Sequence, residues 1–430
     1  MRPFALAVLL AALPLAPAYA GEETPNFAED TLTGDWGGSR TQAAKNGFLW
    51  EGALKADALR NRGAQRNGSR TVTHLDLKLK MDLEKAAGWE GGSAMINVIG
   101  DFGRGLNNAN TTYVGNQMGV TNIEIGNPST TRLFQAWVQQ SLFDDKLAVL
   151  AGIYPIDSEF FTVDSAGVFL GPQYGTPADL AQTRNGTGPS IFNNAGFGLR
   201  ARWNIAPTLY AMGAVLDGIP NDPARPKRTA VRFARGDGSF HIGEIGWTPE
   251  ADNDKFKGHA KAALGLWGYS AKANDQIDVD AAGSAIPRRM RGGYVLGERT
   301  LLRLGGEEER FLTGFARYTW SDGDSTALQN STNLGVHLKG PLASRPDDVI
   351  GLAWTRAGTS SKWRAAQAAA TQAVSAYRSE NVLELTYRYA VTPYLAIQPN
   401  YQRISNITHT NGAAGSPTAR VIGARVDIAL

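Results

Sequence analysis

Leu75, Leu77, Leu79, Met81 and Leu83 occupy every second position of one segment, and the residues between and beside them are His74, Asp76, Lys78, Lys80, Asp82 and Glu84. An extended chain points successive side chains to opposite faces, so one face of this segment is aliphatic and the other almost wholly charged. Such a strand sits between two unlike solvents. A soluble sandwich would accept one strand of this kind, but the same alternation returns in segment after segment down to Leu430. A bilayer demands of β structure an apolar outside, a polar inside and no open edge. The pattern predicts an all-β fold, a transmembrane β-barrel of the outer-membrane kind.

The start of the chain supports that setting. Residues 1–20 read as an export signal, with Arg2 as the basic region, Phe4 to Leu13 as the apolar core and Ala18-Tyr19-Ala20 as the cleavage site. The apolar run is too short to span a bilayer as a helix, and no later stretch approaches that length. A helical membrane protein is thereby excluded. Mean hydropathy is −0.25, as expected when only alternate strand residues meet lipid. With 43 Lys plus Arg against 40 Asp plus Glu, nothing in the charge balance calls for nucleic acid as a partner. The absence of cysteine rules out disulfides, thiol catalysis and thiolate metal sites.

Residues 21–47 form a periplasmic segment, with turn chemistry at Gly34-Asp35-Trp36-Gly37-Gly38 and a short helix from Ser39 to Lys45. The barrel follows over 48–430. Sixteen strands are predicted, near 48–59, 71–84, 92–101, 132–142, 147–156, 196–205, 208–217, 239–248, 259–270, 293–304, 311–320, 332–339, 348–357, 381–390, 394–404 and 418–430. With the N-terminus in the periplasm, even-to-odd links are short turns, such as Phe143–Lys146 and Val391–Pro393. Odd-to-even links are mostly long: Phe102–Thr131, Asp157–Ala195, Gly218–Gly238, Ala271–Gly292 and Gly358–Glu380. Short periplasmic turns opposite long extracellular loops are the bacterial barrel signature. Trp363 to Tyr377 breaks the β pattern with strong helix formers; a rim helix and a lid are both open readings.

No enzyme constellation is present. The five histidines (His74, His241, His259, His337 and His409) lack the spacing of a metal pair, and no nucleophile elbow, P-loop or dinucleotide glycine fingerprint occurs. Asp252-Asn253-Asp254 starts like a calcium loop but lacks the later Gly and Glu, so it reads as a solvated turn. Neither a cofactor nor a metal is expected.

Five segments carry a likeness to a known family: LTGDWGGSR at Leu32–Arg40, DLEKAAGWEGG at Asp82–Gly92, SEFFTVDSAGVFL at Ser158–Leu170, ASRPDDVIGLAW at Ala343–Trp354, and VLELTYRYAVTPYLAIQPNYQ at Val382–Gln402. In order and spacing they resemble the bacterial carbohydrate-selective porins of the OprB type. The resemblance implies a barrel of sixteen strands and passive uptake of sugars and similar small polar solutes. Two features depart from the family pattern. The chain ends in Leu430 where an aromatic residue is usual, and the loop after Leu170 continues as GPQYGTP; the second bears on sugar preference more than on fold.

What remains is the lumen. A sixteen-stranded barrel leaves an aqueous channel unless a loop folds into it. Asp157–Ala195 has the length and the aromatic content (Phe160, Phe161, Phe169, Tyr174, Phe192) of a pore-constricting loop; a loop on the outer surface or against a neighbouring subunit is the alternative. Sugars need hydrogen-bond partners for their hydroxyls and flat apolar faces for their ring C–H groups. Glu51, Lys55, Asp57, Asp76, Lys78, Gln135, Gln139, Arg200, Arg202, Arg425 and Asp427 point inward by the alternation and supply the first. Trp137, between Gln135 and Gln139 on the fourth strand, is placed to supply the second. Each charge is equally readable as a solvated wall residue or a cross-strand ion pair. Both signs line the wall, so strong ion selectivity is not expected. The loops lean basic (Arg60, Arg62, Arg66, Arg70; Arg225, Lys227, Arg228, Arg232, Arg235; Arg288, Arg289, Arg291), which suits lipopolysaccharide phosphates, steering of anionic solutes or simple solvation. The expected partners are small sugars and polar solutes, outer-membrane lipid and lipopolysaccharide, the periplasmic and barrel-assembly machinery, and two further copies of the chain in a homotrimer. A general or anion-leaning porin and a plugged structural or adhesion barrel are the competing functions.

Overall fold

A computed structural model describes residues 25–108, 111–124, 129–249, 259–304, 310–371, 377–408 and 415–430. The export signal at 1–20, Asp252-Asn253-Asp254 and His409 lie outside the described residues. Sixteen antiparallel strands close into a barrel in which each pairs with its neighbours in chain order and the last pairs with the first. They are β1 (Phe48–Gly63), β2 (Gly68–Asp82), β3 (Gly92–Gly103), β4 (Thr130–Leu142), β5 (Leu147–Tyr154), β6 (Gly196–Ala206), β7 (Leu209–Asp217) and β8 (Ser239–Trp247). The second half comprises β9 (Ala260–Val279), β10 (Ala285–Arg303), β11 (Phe311–Ser321), β12 (Leu328–Lys339), β13 (Val349–Thr359), β14 (Ser379–Thr392), β15 (Leu395–Ser405) and β16 (Thr418–Ala429). Among the described residues no helix is long and apolar enough to cross a membrane.

The register explains the alternation. Trp50 pairs with Leu79 and Leu54 with Leu75, while Glu51 faces Lys78 and Lys55 faces His74. On the other side of β1, Lys55 faces Asp427 and Asp57 faces Arg425. Along these stretches like meets like, and a one-residue slip would turn the charged set into lipid. Leu77, Ile96, Val138, Leu199, Leu352 and Leu385 are exposed on the outer wall, and Trp50, Trp203, Trp247 and Tyr389 sit near strand ends on the same side, where amphipathic rings suit the membrane interface.

Several strands run further than the sequence pattern indicates. The segment 271–292, read above as a loop, is mostly strand: β9 and β10 form a projecting hairpin that turns at 280–284. The first extracellular loop likewise shrinks to 64–67. Beyond the bilayer no lipid selects an apolar face, so the apolar alternation that betrays a strand is missing there.

The N-terminal segment is tied to the seam where the barrel closes. Arg40, on the helix Ser39–Lys45, donates to the main-chain oxygens of Trp50 (2.7 Å) and Leu430 (2.9 Å) and lies 4.3 Å from the Phe27 ring centroid. Leu430 N–H donates in turn to Gly52 (2.8 Å). Gly47 sits in the turn before the first strand at φ +89°, where a Cβ would come within 2.5 Å of the Asp82 carbonyl, so only glycine fits that turn.

Candidate functional site

The inner wall is of two kinds. From β7 to β11 it presents Tyr210, Met212, Leu216, Phe240, Ile242, Trp267, Tyr269, Tyr294, Leu296 and Phe315, all buried. Although Glu244, Lys261, Glu298 and Arg317 stand among them, so many clustered aromatic and aliphatic side chains do not line open water. It is covered by the segment 155–195, whose Ile156, Phe160, Phe161, Phe169, Leu170 and Leu180 are all at or below 1% exposure. Phe161 meets Tyr294 edge-on at 5.7 Å, and Phe169 lies 6.0 Å from Phe315. The long loop therefore lies within the barrel, packed as a core against half of its wall.

Backbone groups buried with such a loop need partners. Wall carboxylates supply them. Glu244 on β8 accepts from Phe161 N–H (2.9 Å), and Glu298 on β10 accepts from Asp164 N–H (3.1 Å), Ser165 N–H (2.7 Å) and the Ser165 hydroxyl (2.5 Å). Glu384 on β14 accepts from Leu170 and Gly171 N–H at 2.6 and 3.1 Å. Arg317 on β11 does the converse, donating to the carbonyls of Phe161, Gly175 and Gln173 at 2.9, 2.8 and 2.5 Å. The Arg200 guanidinium on β6 holds Glu159 at 2.6 and 2.8 Å. Charged partners make stronger hydrogen bonds than neutral ones, so the loop is stapled to the wall from β6 round to β14.

A second loop also turns inward, which the sequence reading did not anticipate. In segment 104–124, Gln117 and Met118 N–H donate to Glu380 on β14 (3.0 and 3.1 Å). The Thr121 hydroxyl donates to Asp57, Asn122 accepts from Arg425 (2.7 Å), and Val120 O accepts from Gln402 (2.8 Å). Asn122 N–H joins the two loops by donating to Leu170 O at 2.7 Å.

The twelve lumen residues named from the sequence fall into two groups. Glu51, Lys55, Asp76, Lys78 and Asp427 stand together on β16, β1 and β2, all half-buried. Lys80 bonds Glu51 at 2.6 Å and Lys78 pairs with Asp76 at 3.0 Å. Arg202 is also half-buried, its guanidinium 4.2 Å from the Tyr210 ring centroid. These charges are open to water inside the barrel. The remaining six are buried. Asp57 and Arg425 form a bidentate pair (2.7 and 2.8 Å) beneath the second loop. Gln135, Gln139, Trp137 and Arg200 lie together on β4 and β6: Arg200 bonds Gln139 at 2.8 Å, and Trp137 Nε1 donates to Gln135 at 3.3 Å. Trp137 does face inward, paired with Met95, but at 3% exposure its ring is not offered to a solute in this structure. It belongs to the same buried cluster as Phe160, Phe161 and Phe169 of the inward loop.

Glu244, Glu298, Glu380, Glu384 and Arg317 are the residues that sequence reasoning did not select. Each occupies an ordinary inward slot of an alternating strand. The available signal was the run of inward aromatics beside them, which a water-filled wall does not need.

Titration of the inward loops follows from their burial. Burial pushes the Asp157 carboxyl up to about 6, against the pull of Phe192 N–H and the Thr176 hydroxyl that donate to it. Burial likewise raises Glu124 to about 7 although Asn107 N–H donates to it at 2.6 Å. Asp164, His259 and Glu298 approach one another closely enough to hold a metal ion, yet Glu298 is already committed to the loop.

Known proteins share this architecture. The family model described as the carbohydrate-selective porin, OprB family, matches residues 66–430. Porin B of Pseudomonas aeruginosa is 27% identical over 425 aligned positions, covering 92% of this chain and 91% of that protein. The high-pH structure of Pseudomonas putida OprB superposes with a TM-score of 0.81 at 21% identity, covering 95% of this chain and all of the other. The low-pH structure of the same protein gives 0.59 at 19% identity, covering 93% and 98%.

Proposed function

The chain belongs to the OprB family of carbohydrate-selective porins, and from that premise we propose which part of its lumen a sugar uses. It is an outer-membrane porin for carbohydrates; family and fold point to a channel and not to an enzyme. Membership in that family supports a location in the outer membrane of a Gram-negative cell.

The solute path runs along the wall of β16, β1 and β2. One observation carries this reading: Glu51, Lys55, Asp76, Lys78 and Asp427 are half-exposed on the inner face there, whereas loop 155–195 fills the opposite side with apolar side chains. Alternating carboxylates and ammonium groups give hydroxyl-rich solutes donors and acceptors while presenting little net charge. Loop 155–195 acts as the constriction, and the buried cluster of Gln135, Trp137, Gln139 and Arg200 supports it. Residues 1–20 act as the export signal. Conduction requires contacts weak enough to release, which half-exposed charges satisfy. Lipopolysaccharide, the barrel-assembly machinery and two further copies in a homotrimer are its partners in the membrane.

The test is swelling of liposomes that contain the protein, with monosaccharides compared against neutral amino acids of similar size. Faster entry of the sugars is expected. Equal rates would favour a general porin, and an absence of swelling with normal heat-modifiable folding would mark a plugged barrel. Lys55→Gln with Asp76→Asn should weaken sugar block of the ionic current; unchanged block would move the path off this wall.

A further inference from the structure

The outer surface of the barrel carries a row of positive charge where three strands meet. Arg62 on β1 pairs directly with Arg420 on β16, and Arg420 pairs with Arg403 on β15. Arg60, two residues below Arg62, lies on the same face. All four side chains are exposed, while Leu59, Asn61, Ala419, Val421, Gln402 and Ile404 between them are buried toward the lumen. The arginines therefore point outward.

Like charges directly opposite each other on adjacent strands are destabilising. No ion pair among the described residues involves Arg60, Arg62, Arg403 or Arg420, so the protein itself does not relieve the repulsion. An anion from outside would. The position says which kind. Arg62 lies twelve residues beyond Trp50 on β1. At about 3.3 Å per residue and a tilt near 40°, that is roughly 30 Å along the membrane normal, just past an apolar band about 25 Å tall. The surface beside and below the row is apolar: Leu383 pairs with Arg403, and Leu385 and Ile422 flank Tyr401 one step further down, all three exposed. Guanidinium groups at headgroup level above an aliphatic wall match an amphiphile with phosphates at its head and acyl chains beneath.

We propose that Arg62, Arg403 and Arg420, with Arg60 below, form a docking site on the outer wall for the phosphorylated glycolipid of the outer leaflet, lipopolysaccharide, through its lipid A phosphates. The proposal rests on the outer-membrane placement above but not on the sugar path. Binding neutralises the row and fixes the seam of β15, β16 and β1 at the outer leaflet.

The experiment uses the whole protein purified in mild detergent from outer membranes, with bound lipid A counted by mass spectrometry. In Arg62→Gln/Arg403→Gln/Arg420→Gln the retained lipid A should fall about tenfold or more, because charge-assisted hydrogen bonds are lost. Arg225→Gln/Arg228→Gln/Arg235→Gln removes equal charge from an exposed loop and should retain lipid as the parent does. Heat-modifiable migration on gels checks that each variant folds. Added back to delipidated protein, bisphosphorylated lipid A should bind, and neither dephosphorylated lipid A nor inorganic phosphate should compete at the same concentration. Equal retention in the row variant and the parent would overturn the site. So would equal loss in both variants, binding of dephosphorylated lipid A, full displacement by inorganic phosphate, or a change of oligomeric state with lipid content unchanged. Sugar-driven swelling of the row variant should match the parent. A failure of swelling in the parent would count against the sugar path and leave the lipid site standing.

Discussion

The two halves of the barrel's inner wall obey different rules. From β7 to β11 the inward positions are mainly aromatic and aliphatic, with Glu244, Lys261, Glu298 and Arg317 among them, and loop 155–195 seals them from water. On β16, β1 and β2 the equivalent positions carry Asp427, Glu51, Lys55, Asp76 and Lys78, half-exposed. Both halves share the same outward face of Leu, Val, Ile and aromatic residues. Lipid treats every strand alike, so the outer alternation is uniform. The lumen does not, because part of it is protein core and part is water. An inward residue therefore reports what covers it, and the apolar half is the imprint of the loop.

The strongest way to break this contrast is to release the loop. Arg317→Ala leaves the carbonyls of Phe161, Gln173 and Gly175 without their shared donor, at about 1–3 kcal/mol for each buried group left unpaired. Single-channel conductance should rise at least to about twice the parent value as the loop leaves the apolar wall. If the conductance of the folded variant is unchanged, the staples do not set the size of the opening.

A second pair of variants compares lipid with lumen on one strand. Leu75→Arg places a guanidinium on the outer face nearer the middle of the bilayer and should lower folding stability by roughly 2–4 kcal/mol. Asp76→Asn, its neighbour on the water-filled side, should refold into vesicles at nearly the parent denaturant midpoint. Equal midpoints would contradict the facing seen in β2.

Acidity probes the inward loops alone. Burial raises Asp157 to about 6 and Glu124 to about 7, so folding favours their protonated forms. Their stabilising contribution is full below about pH 4 and is lost as pH rises through 6 to 7. Brief steps to higher conductance should therefore grow more frequent between pH 5 and pH 8, on the order of a few-fold. In Asp157→Asn the component near pH 6 should vanish, and an unaltered pH profile would remove Asp157 from the account.

The smallest effect is expected on the open half. Lys55→Gln with Lys78→Gln removes positive charge from a wall that Glu51, Asp76 and Asp427 share. Cation preference, read from the reversal potential in a salt gradient, should increase by about twofold or less at physiological ionic strength. A shift toward anions would place these lysines away from the ion path.

The strands were legible in the sequence wherever a strand separates lipid from something polar, as Leu75 to Met81 does. They were not legible where that contrast disappears, as in the β9–β10 extension, where Lys272, Asn274 and Arg289 are exposed and Asp275 is buried between Arg288 and Lys362. Period-two geometry settles which way an individual wall residue faces. Whether a given one is open to solute was not legible. Gln135 and Glu51 occupy equivalent inward slots, yet the first is buried and the second half-exposed.

Facing, strand number and the sorting of short turns from long loops follow from local order alone, since the bilayer acts on each strand separately and in the same way. The division of the lumen does not. It depends on Glu244, Glu298, Glu384 and Arg317, on strands distant in the chain, converging on the main chain of one loop. A hydrogen bond between Leu170 and Glu384 joins residues 214 positions apart, and no periodicity records such a pairing. Only closure of the barrel brings those groups within reach, and the loop's buried main chain then makes their charge necessary.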